Sequence, residues 1–196
     1  ANARLTNTAV AEVPRRADFS IDEEAVLARV AAGDIDFTIV TSPNNPTGER
    51  APEDFVVRLL EATDALVMVD EAYLESHENL IILRTFSKAF SLAGVRVGYV
   101  MGSPGVIREL VKVRQPYSVD ALSQAVARVV FANRASFEPG IAAIIEERAR
   151  LTDALRTLPG VTPFPSDANY VLFRMDAADE AWAHLYERGI LVRDFS

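Results

Sequence analysis

Three short, almost wholly apolar segments in the first half of the chain constrain its fold more than any other feature. They cover residues 36–41, 65–69 and 80–83, and residues 52–62 between the first two carry apolar side chains at helical spacing. Strands that are apolar on both faces are typical of a parallel sheet covered by helices, because both faces must be buried. The pattern therefore predicts an α/β fold whose ligands bind at the carboxyl ends of the strands.

The other predicted elements flank these segments. Ser20 and Glu23 have the spacing of a capping box, with Ser20 as the N-cap of a helix that presents Ala25, Val26 and Val30. The second half changes from helices to short strands around one helix, so we place a domain boundary near Ser136. Residues 1–135 then belong to a large α/β domain, and 136–196 hold a bridging helix and part of a smaller α+β domain. The later elements are predicted at 103–111, 118–133, 138–158 (helices), 169–173 (strand), 177–188 (helix) and 190–192 (strand).

Composition excludes several classes of function. The 196 residues carry a formal net charge of -8 and a pI near 4.8, without a basic cluster, so nucleic acid is not an expected partner. Cysteine is absent and only His77 and His184 are present, which argues against disulfides and against a thiolate or histidine metal site. No apolar run approaches the roughly 20 residues that span a bilayer, and no signal-peptide pattern opens the sequence, so a cytoplasmic protein is expected.

A lysine follows the third apolar segment in an unusual setting. Lys88 lies among small and hydroxyl residues in Arg-Thr-Phe-Ser-Lys-Ala-Phe (84–90), and Arg96 follows eight residues later. Such a lysine is well placed to form an imine with a carbonyl cofactor whose phosphate the hydroxyls and the arginine hold. The alternative is a solvated surface lysine, which is the common kind.

Two further motifs favour the cofactor. Ser-Pro-Asn-Asn-Pro-Thr-Gly (42–48) follows the first apolar segment, and Asp-Glu-Ala-Tyr (70–73) follows the second. Together with the lysine segment they resemble the pyridoxal-phosphate aminotransferases of fold type I. When Ser-Asp-Ala-Asn-Tyr (166–170) is included, the set of motifs is similar to that of the histidinol-phosphate aminotransferases. The resemblance runs over essentially the whole chain in the order of the family.

The resemblance implies a mostly parallel sheet sandwiched by helices, a smaller C-terminal α+β domain, and pyridoxal 5'-phosphate as cofactor. It implies that Lys88 holds the cofactor and shuttles a proton, and that Asp70 keeps the ring nitrogen protonated. Asp70 has two other interpretations. It could bond backbone amides at the strand end, or belong to the acidic strand of a P-loop ATPase, although no Gly-x-x-x-x-Gly-Lys-Ser/Thr loop is present.

The resemblance also implies which residues bind the rest of the cofactor. Asn45 and Tyr73 match residues that donate hydrogen bonds to the phenolic oxygen, whereas the alternatives are a turn residue and a core aromatic. Arg96 matches the arginine of the phosphate clamp, and Ser87 and Thr85 supply hydroxyls to it. Thr85 could instead simply finish the strand. No metal is expected.

Fewer residues of this sequence match the family's substrate-binding residues than match its cofactor-binding residues. Arg193 matches an arginine that meets the substrate phosphate in the histidinol-phosphate aminotransferases, and the alternative is an arginine paired with Asp194. Asn169 and Tyr170 are expected to support the site, without an assigned contact. The implied reaction exchanges an amino group between histidinol phosphate and 2-oxoglutarate in histidine biosynthesis. Alternatives are an aromatic amino-acid aminotransferase, a threonine-phosphate decarboxylase, and a non-catalytic relative of the fold.

Two further expectations concern the whole protein. Family members begin earlier, extend further and have a longer loop after the segment that matches Tyr73, so we expect part of a longer chain with a loop missing near Glu75. Family active sites lie at a two-fold dimer interface, and residues 119–131 carry more apolar side chains than an acidic surface needs. A homodimer is therefore expected.

Overall fold

A four-stranded sheet forms the centre of the computed structural model, which describes residues 7–70 and 77–195. Its strands lie in the order β1, β2, β3, β4; the first three are parallel, and β4 runs antiparallel to β3. The predicted α/β fold with a mostly parallel sheet is confirmed. The strands are β1 Phe37–Thr41, β2 Leu66–Asp70, β3 Leu80–Thr85 and β4 Gly98–Gly102.

Six α-helices, two short 3-10 helices (Ala93–Val95 and Arg134–Phe137) and a small hairpin accompany the sheet within the described residues. Helices α1 and α2 precede and follow β1, whereas α3 to α6 come after the sheet, and a two-stranded antiparallel pair, β5 with β6, lies between α5 and α6. None of the helices within 7–70 and 77–195 is long and apolar enough to cross a membrane. The helices are α1 Glu23–Ala31, α2 Glu53–Glu61, α3 Pro104–Val113, α4 Ala121–Ala132, α5 Glu138–Arg156 and α6 Ala178–Glu187; the hairpin strands are β5 Val161–Pro163 and β6 Phe173–Met175.

The main core lies between one face of the sheet and helices α1 and α2. Val67 and Val69 of β2 are fully buried against Phe55 and Leu59 of α2. Burial alternates along β2, so the strand presents one face to these helices. On β1, Ile39 is 58% exposed, because α1 and α2 both pack on the other face. The expected burial of both faces is therefore not met by this strand within the described residues.

A second cluster anchors the chain beyond β3. Phe86 is buried with Val97 and Ala127, the last of which lies on α4. The rings of Phe86 and Phe90 lie 5.1 Å apart, and Phe86 lies 5.7 Å from the ring of Tyr99. This aromatic packing ties the segment around Lys88 to the start of β4 and to α4.

The predicted capping box is wrong. Helix α1 begins at Glu23, and its N-cap is Asp22, whose Oδ1 accepts from the Ala25 N–H at 3.3 Å. The Ser20 hydroxyl instead donates to the Asp18 carboxylate at 2.6 Å. Because Asp22 takes the cap, Glu23 is the first residue of the helix and not the third.

Both strands predicted near the C-terminus are misplaced. Residues 164–172 connect β5 to β6, which begins only at Phe173, and residues 190–195 form no strand. The Ser166 hydroxyl donates to the Tyr170 carbonyl at 2.6 Å, and this turn prevents an extended run from 169. The predicted helices all occur, with ends shifted by up to three residues. The domain boundary near Ser136 stays a prediction.

Candidate active site

One edge of the sheet gathers most of the predicted site residues. In the strand register Thr41 pairs with Asp70, Asp70 pairs with Leu83, and Thr85 pairs with Gly98. The ends of the parallel strands β1, β2 and β3 and the beginning of the antiparallel β4 therefore share this edge. The predicted site residues at this edge are Asn45 after β1, Asp70 at the end of β2, Ser87 and Lys88 after β3, and Arg96 before β4.

Asp70 is a half-buried acid at the end of β2. It lies on the face opposite Val67 and Val69, which belong to the main core. Burial raises the pKa of the Asp70 carboxyl, and the positive charge of Arg84 on β3 partly offsets that rise. The environment thus disfavours an unpaired carboxylate and favours one that meets a cation.

Lys88 projects from a compact turn that the backbone stabilises. The Phe86 N–H donates to the Val97 carbonyl at 3.1 Å, and the Ser91 N–H donates to the Lys88 carbonyl at 3.0 Å. Phe86 is buried while Lys88 is exposed, so the turn packs its aromatic residue inward and leaves the amine accessible. An accessible amine on a fixed backbone can attack a carbonyl group.

Thr85 and Ser87 form a small hydroxyl pair beside the lysine. The Ser87 N–H donates to Thr85 Oγ1 at 3.0 Å, and the Thr85 hydroxyl donates to Ser87 Oγ at 2.9 Å. The proton of Thr85 is therefore engaged, whereas the Ser87 hydroxyl donates to no group within residues 7–70 and 77–195 and can donate to an anion. Thr85 is also the last residue of β3. This position agrees with the alternative interpretation that Thr85 ends the strand.

Arg96 has a left-handed backbone conformation, with φ 56° and ψ 41°. Val97 beside it is buried, and the Arg96 Nη1 donates to the Ala93 carbonyl at 3.1 Å. A non-glycine residue in this region costs on the order of 1 kcal/mol or more, and the surrounding packing holds it there. The side chain is exposed, so its charge is available to an anion at the sheet edge.

The two asparagines after β1 have different surroundings. The Asn44 Oδ1 accepts from the Thr41 hydroxyl at 2.7 Å, and its Nδ2 donates to Thr47 Oγ1 at 3.0 Å. Asn45 is exposed, and its side chain makes no hydrogen bond within the part of the chain that the structure describes. Asn44 therefore builds the turn, while the Asn45 amide is left to a ligand.

The strand register does not place the other two predicted residues, Tyr73 and Arg193, at this edge. Tyr73 lies outside the described residues. Arg193 lies in the exposed segment after α6, with its guanidinium carbon 5.1 Å from the centre of the Phe195 ring. Trp182 of α6 donates its Nε1–H to the Val192 carbonyl at 3.1 Å, which ties that segment to the helix.

Reasoning from the sequence missed Arg84 and did not identify the partner of Tyr170, which was expected to support the site. Arg84, inside β3, acts on the charge of Asp70, and a lone arginine in an apolar strand was the available signal. Tyr170 donates its hydroxyl to the Asn44 carbonyl at 2.8 Å, across 126 residues of sequence. The motif that contains Tyr170 was noticed, but only folding reveals its partner.

The groups at this edge fit pyridoxal phosphate chemically. Burial disfavours the Asp70 carboxylate unless a cation lies beside it, and a protonated ring nitrogen would be such a cation. Arg96 offers an exposed guanidinium and Ser87 an uncommitted hydroxyl proton for a phosphate group. Lys88 offers an amine for the carbonyl carbon.

Comparison with known proteins agrees with this chemistry. The family model described as "Aminotransferase class I and II" matches residues 1–196. The histidinol-phosphate aminotransferase of Thermococcus kodakarensis is 42% identical over 99% of this chain and 58% of its own length. The enzyme of the same name from Chlorobaculum tepidum is 35% identical over 99% of this chain and 59% of its own length. The chain thus spans a little over half the length of these relatives, and the resemblance read from the motifs is confirmed.

Solved structures show the same fold. Histidinol-phosphate aminotransferase from Sinorhizobium meliloti, in complex with pyridoxal-5'-phosphate, superposes with a TM-score of 0.80 at 27% identity, covering 95% of this chain and 56% of that one. Aspartate aminotransferase from Thermus thermophilus with maleate superposes with a TM-score of 0.76 at 25% identity, covering 96% of this chain and 56% of that one. The described sheet and helices therefore correspond to roughly half of such an enzyme.

Proposed function

This chain belongs to the aminotransferase class I and II family, and from that membership we propose that it is part of a pyridoxal-phosphate-dependent aminotransferase acting on histidinol phosphate and 2-oxoglutarate. The observation that carries the proposal is the shared sheet edge of Asp70, Lys88 and Arg96. The names of relatives at 42% and 35% identity support histidinol phosphate as the substrate.

Each residue at the edge has a proposed task. The Lys88 amine would hold the cofactor at its carbonyl carbon, and once the substrate amine has taken that place it would move the proton of the substrate carbon. The Asp70 carboxylate holds the proton of the ring nitrogen, and the Asn45 amide, with Tyr73, donates to the phenolic oxygen. The bound cofactor withdraws electrons from the substrate carbon.

Two anions have to be held. Arg96 and Ser87, with Thr85 orienting the serine hydroxyl, bind the cofactor phosphate through charge-assisted hydrogen bonds. Arg193 binds the phosphate of the substrate. In this proposal Arg193 serves substrate choice, because a phosphate at the far end of the substrate takes no part in the exchange of the amino group.

The test is replacement of Lys88 in the complete protein. Lys88→Ala should remove turnover and the visible absorbance of the protein-bound cofactor, because no other amine takes its place on the turn. Lys112→Ala is the matched control: Lys112 is the other lysine of the sequence, exposed on α3 and paired with Glu109 at 2.6 Å. A Lys88→Ala protein that keeps both signals would overturn the proposal.

The same preparation separates the alternative functions. Preference for aromatic amino acids, or release of carbon dioxide from a phosphorylated threonine, would indicate a sister enzyme with the same cofactor groups. A colourless protein that pyridoxal phosphate does not reconstitute would indicate a non-catalytic relative.

We also propose that the complete protein is a homodimer. Helix α4 carries exposed apolar side chains, among them Leu122 at 74% and Val129 at 63% exposure. A second copy would bury such a surface, as two-fold assemblies commonly do. Light scattering of the active protein should give twice the mass of the chain, and a fully active monomer would contradict the dimer.

A further inference from the structure

Residues 44–48, which we call the asparagine turn, are held by residues 166–170, which we call the clamp loop. The Tyr170 hydroxyl donates to the Asn44 carbonyl at 2.8 Å. The Asp167 N–H donates to the Gly48 carbonyl at 2.7 Å. One contact therefore falls at each end of the asparagine turn, and Asn45 lies between them.

The clamp loop is held by hydrogen bonds of its own and by a contact with α5. The Ser166 hydroxyl donates to the Tyr170 carbonyl at 2.6 Å and accepts from the Ala168 N–H at 3.2 Å. Arg148 of α5 donates to the Ala168 carbonyl at 2.8 Å, which fixes the loop to the long helix. Tyr170 thus approaches the asparagine turn from a braced position, so its hydroxyl can limit the movement of the turn.

The acceptor of Tyr170 is the carbonyl that also closes the turn. The Gly48 N–H donates to the Asn44 carbonyl at 2.7 Å, and a carbonyl oxygen can accept two hydrogen bonds. The Asn44 side chain is fixed on both sides by Thr41 and Thr47. All these bonds fix Asn44, and none uses the Asn45 side chain, which is the neighbour that projects outward.

We propose that Tyr170 is a positioning residue: through the Asn44 carbonyl it fixes the asparagine turn so that the Asn45 amide is aimed at the cofactor's phenolic oxygen. The inference rests on the proposed function. It assigns Tyr170 no contact with cofactor or substrate. It also makes the orientation of Asn45 depend on residues from the opposite end of the chain.

The first measurement uses the complete protein without cofactor. Tyr170→Phe removes one hydroxyl and keeps the ring, so hydrogen exchange of the amides of residues 44–49 should speed up by about fivefold, the effect of one ordinary hydrogen bond. Tyr186→Phe is the control, because Tyr186 is exposed and stacks on Trp182 in α6. Unchanged exchange in Tyr170→Phe would overturn the clamp, whether or not the protein binds a cofactor.

The second measurement tests the route through Asn45. Tyr170→Phe should weaken the binding of pyridoxal phosphate, read from visible absorbance, by up to about fivefold. In an Asn45→Ala background the same change should have almost no effect on affinity, because the amide that Tyr170 positions is gone. Equal losses in both backgrounds would overturn the positioning role. Failure of the unmodified protein to bind pyridoxal phosphate would contradict the proposed function, with the exchange result still deciding whether the clamp exists.

Discussion

Gly48 lies directly against Ser166, so close that a Cβ on the glycine would overlap the serine hydroxyl. Gly48 also has a φ of 80°, which L side chains rarely adopt. The contact brings a turn after β1 and a loop after β5 together, although 118 positions separate them in the printed sequence. The close approach permits the Asp167 to Gly48 hydrogen bond at 2.7 Å.

Gly48→Ala should therefore destabilise the complete protein by at least about 2 kcal/mol, since backbone strain and steric overlap act together. Urea unfolding measures the change. Gly33→Ala is the control, because Gly33 has a similar φ of 78° and open space around it, so it reports the backbone cost alone. In a Ser166→Gly background, which removes the overlapping side chain, Gly48→Ala should cost less than it does beside Ser166. Equal losses for the two glycines would show that the contact with Ser166 has no energetic role.

Asp70→Asn should stabilise the cofactor-free protein at neutral pH. Because burial raises the pKa of the folded-state carboxyl, its contribution to stability is present at low pH and is lost as pH rises through that pKa. The gain in unfolding midpoint should thus grow as the pH rises from about 4, close to the ordinary pKa of an aspartate, to about 7. Asp64→Asn, at an exposed acid before the same strand, is the control. Asp70→Asn should also bind pyridoxal phosphate more weakly than the unmodified protein does. A gain in the unfolding midpoint of Asp70→Asn that does not vary with pH would contradict the desolvation argument.

Gly98→Ala should separate β3 from β4. A Cβ at Gly98 would lie 2.6 Å from the Arg84 carbonyl oxygen, which is backbone and cannot swing away. We expect a loss of about 1 to 3 kcal/mol in unfolding free energy and weaker cofactor binding, because Arg96 precedes this point by two residues. Gly140→Ala in α5, where the space is open, should instead raise stability by about 0.5 to 1 kcal/mol. Equal behaviour of the two variants would refute the steric explanation.

Arg193→Ala should distinguish substrates. Losing a charge-assisted hydrogen bond of roughly 1.5 to 3 kcal/mol should lower kcat/KM for histidinol phosphate on the order of ten- to a hundredfold, while histidinol, which has no phosphate, should be nearly unaffected. Arg188→Ala is the control, since Arg188 is exposed and bonds His184 on its own helix. Similar losses for both substrates would mean that Arg193 acts through folding or cofactor binding.

The sequence by itself determined the parallel sheet and the edge at which the site forms. Short apolar segments separated by a helix are compatible with few folds other than a parallel sheet. Each motif follows its strand directly, so the positions of Asp70 and Lys88 are set by the ends of β2 and β3. These are local signals: a strand end is fixed by residues beside it in the chain. The N-cap of α3 is local in the same way: Ser103 lies directly before the helix, and its hydroxyl oxygen accepts from the Val106 N–H.

Only the tertiary structure decided which distant residues support that edge. The clamp of Tyr170 on Asn44 and the charge of Arg84 beside Asp70 depend on how packed elements approach one another. The strand predicted at 169–173 fails for a similar reason, because these residues are apolar enough to extend but are turned by Ser166. Residue pattern records which side chains avoid water, whereas hydrogen bonds across 126 residues arise only when the folded backbone brings donor and acceptor within 3 Å.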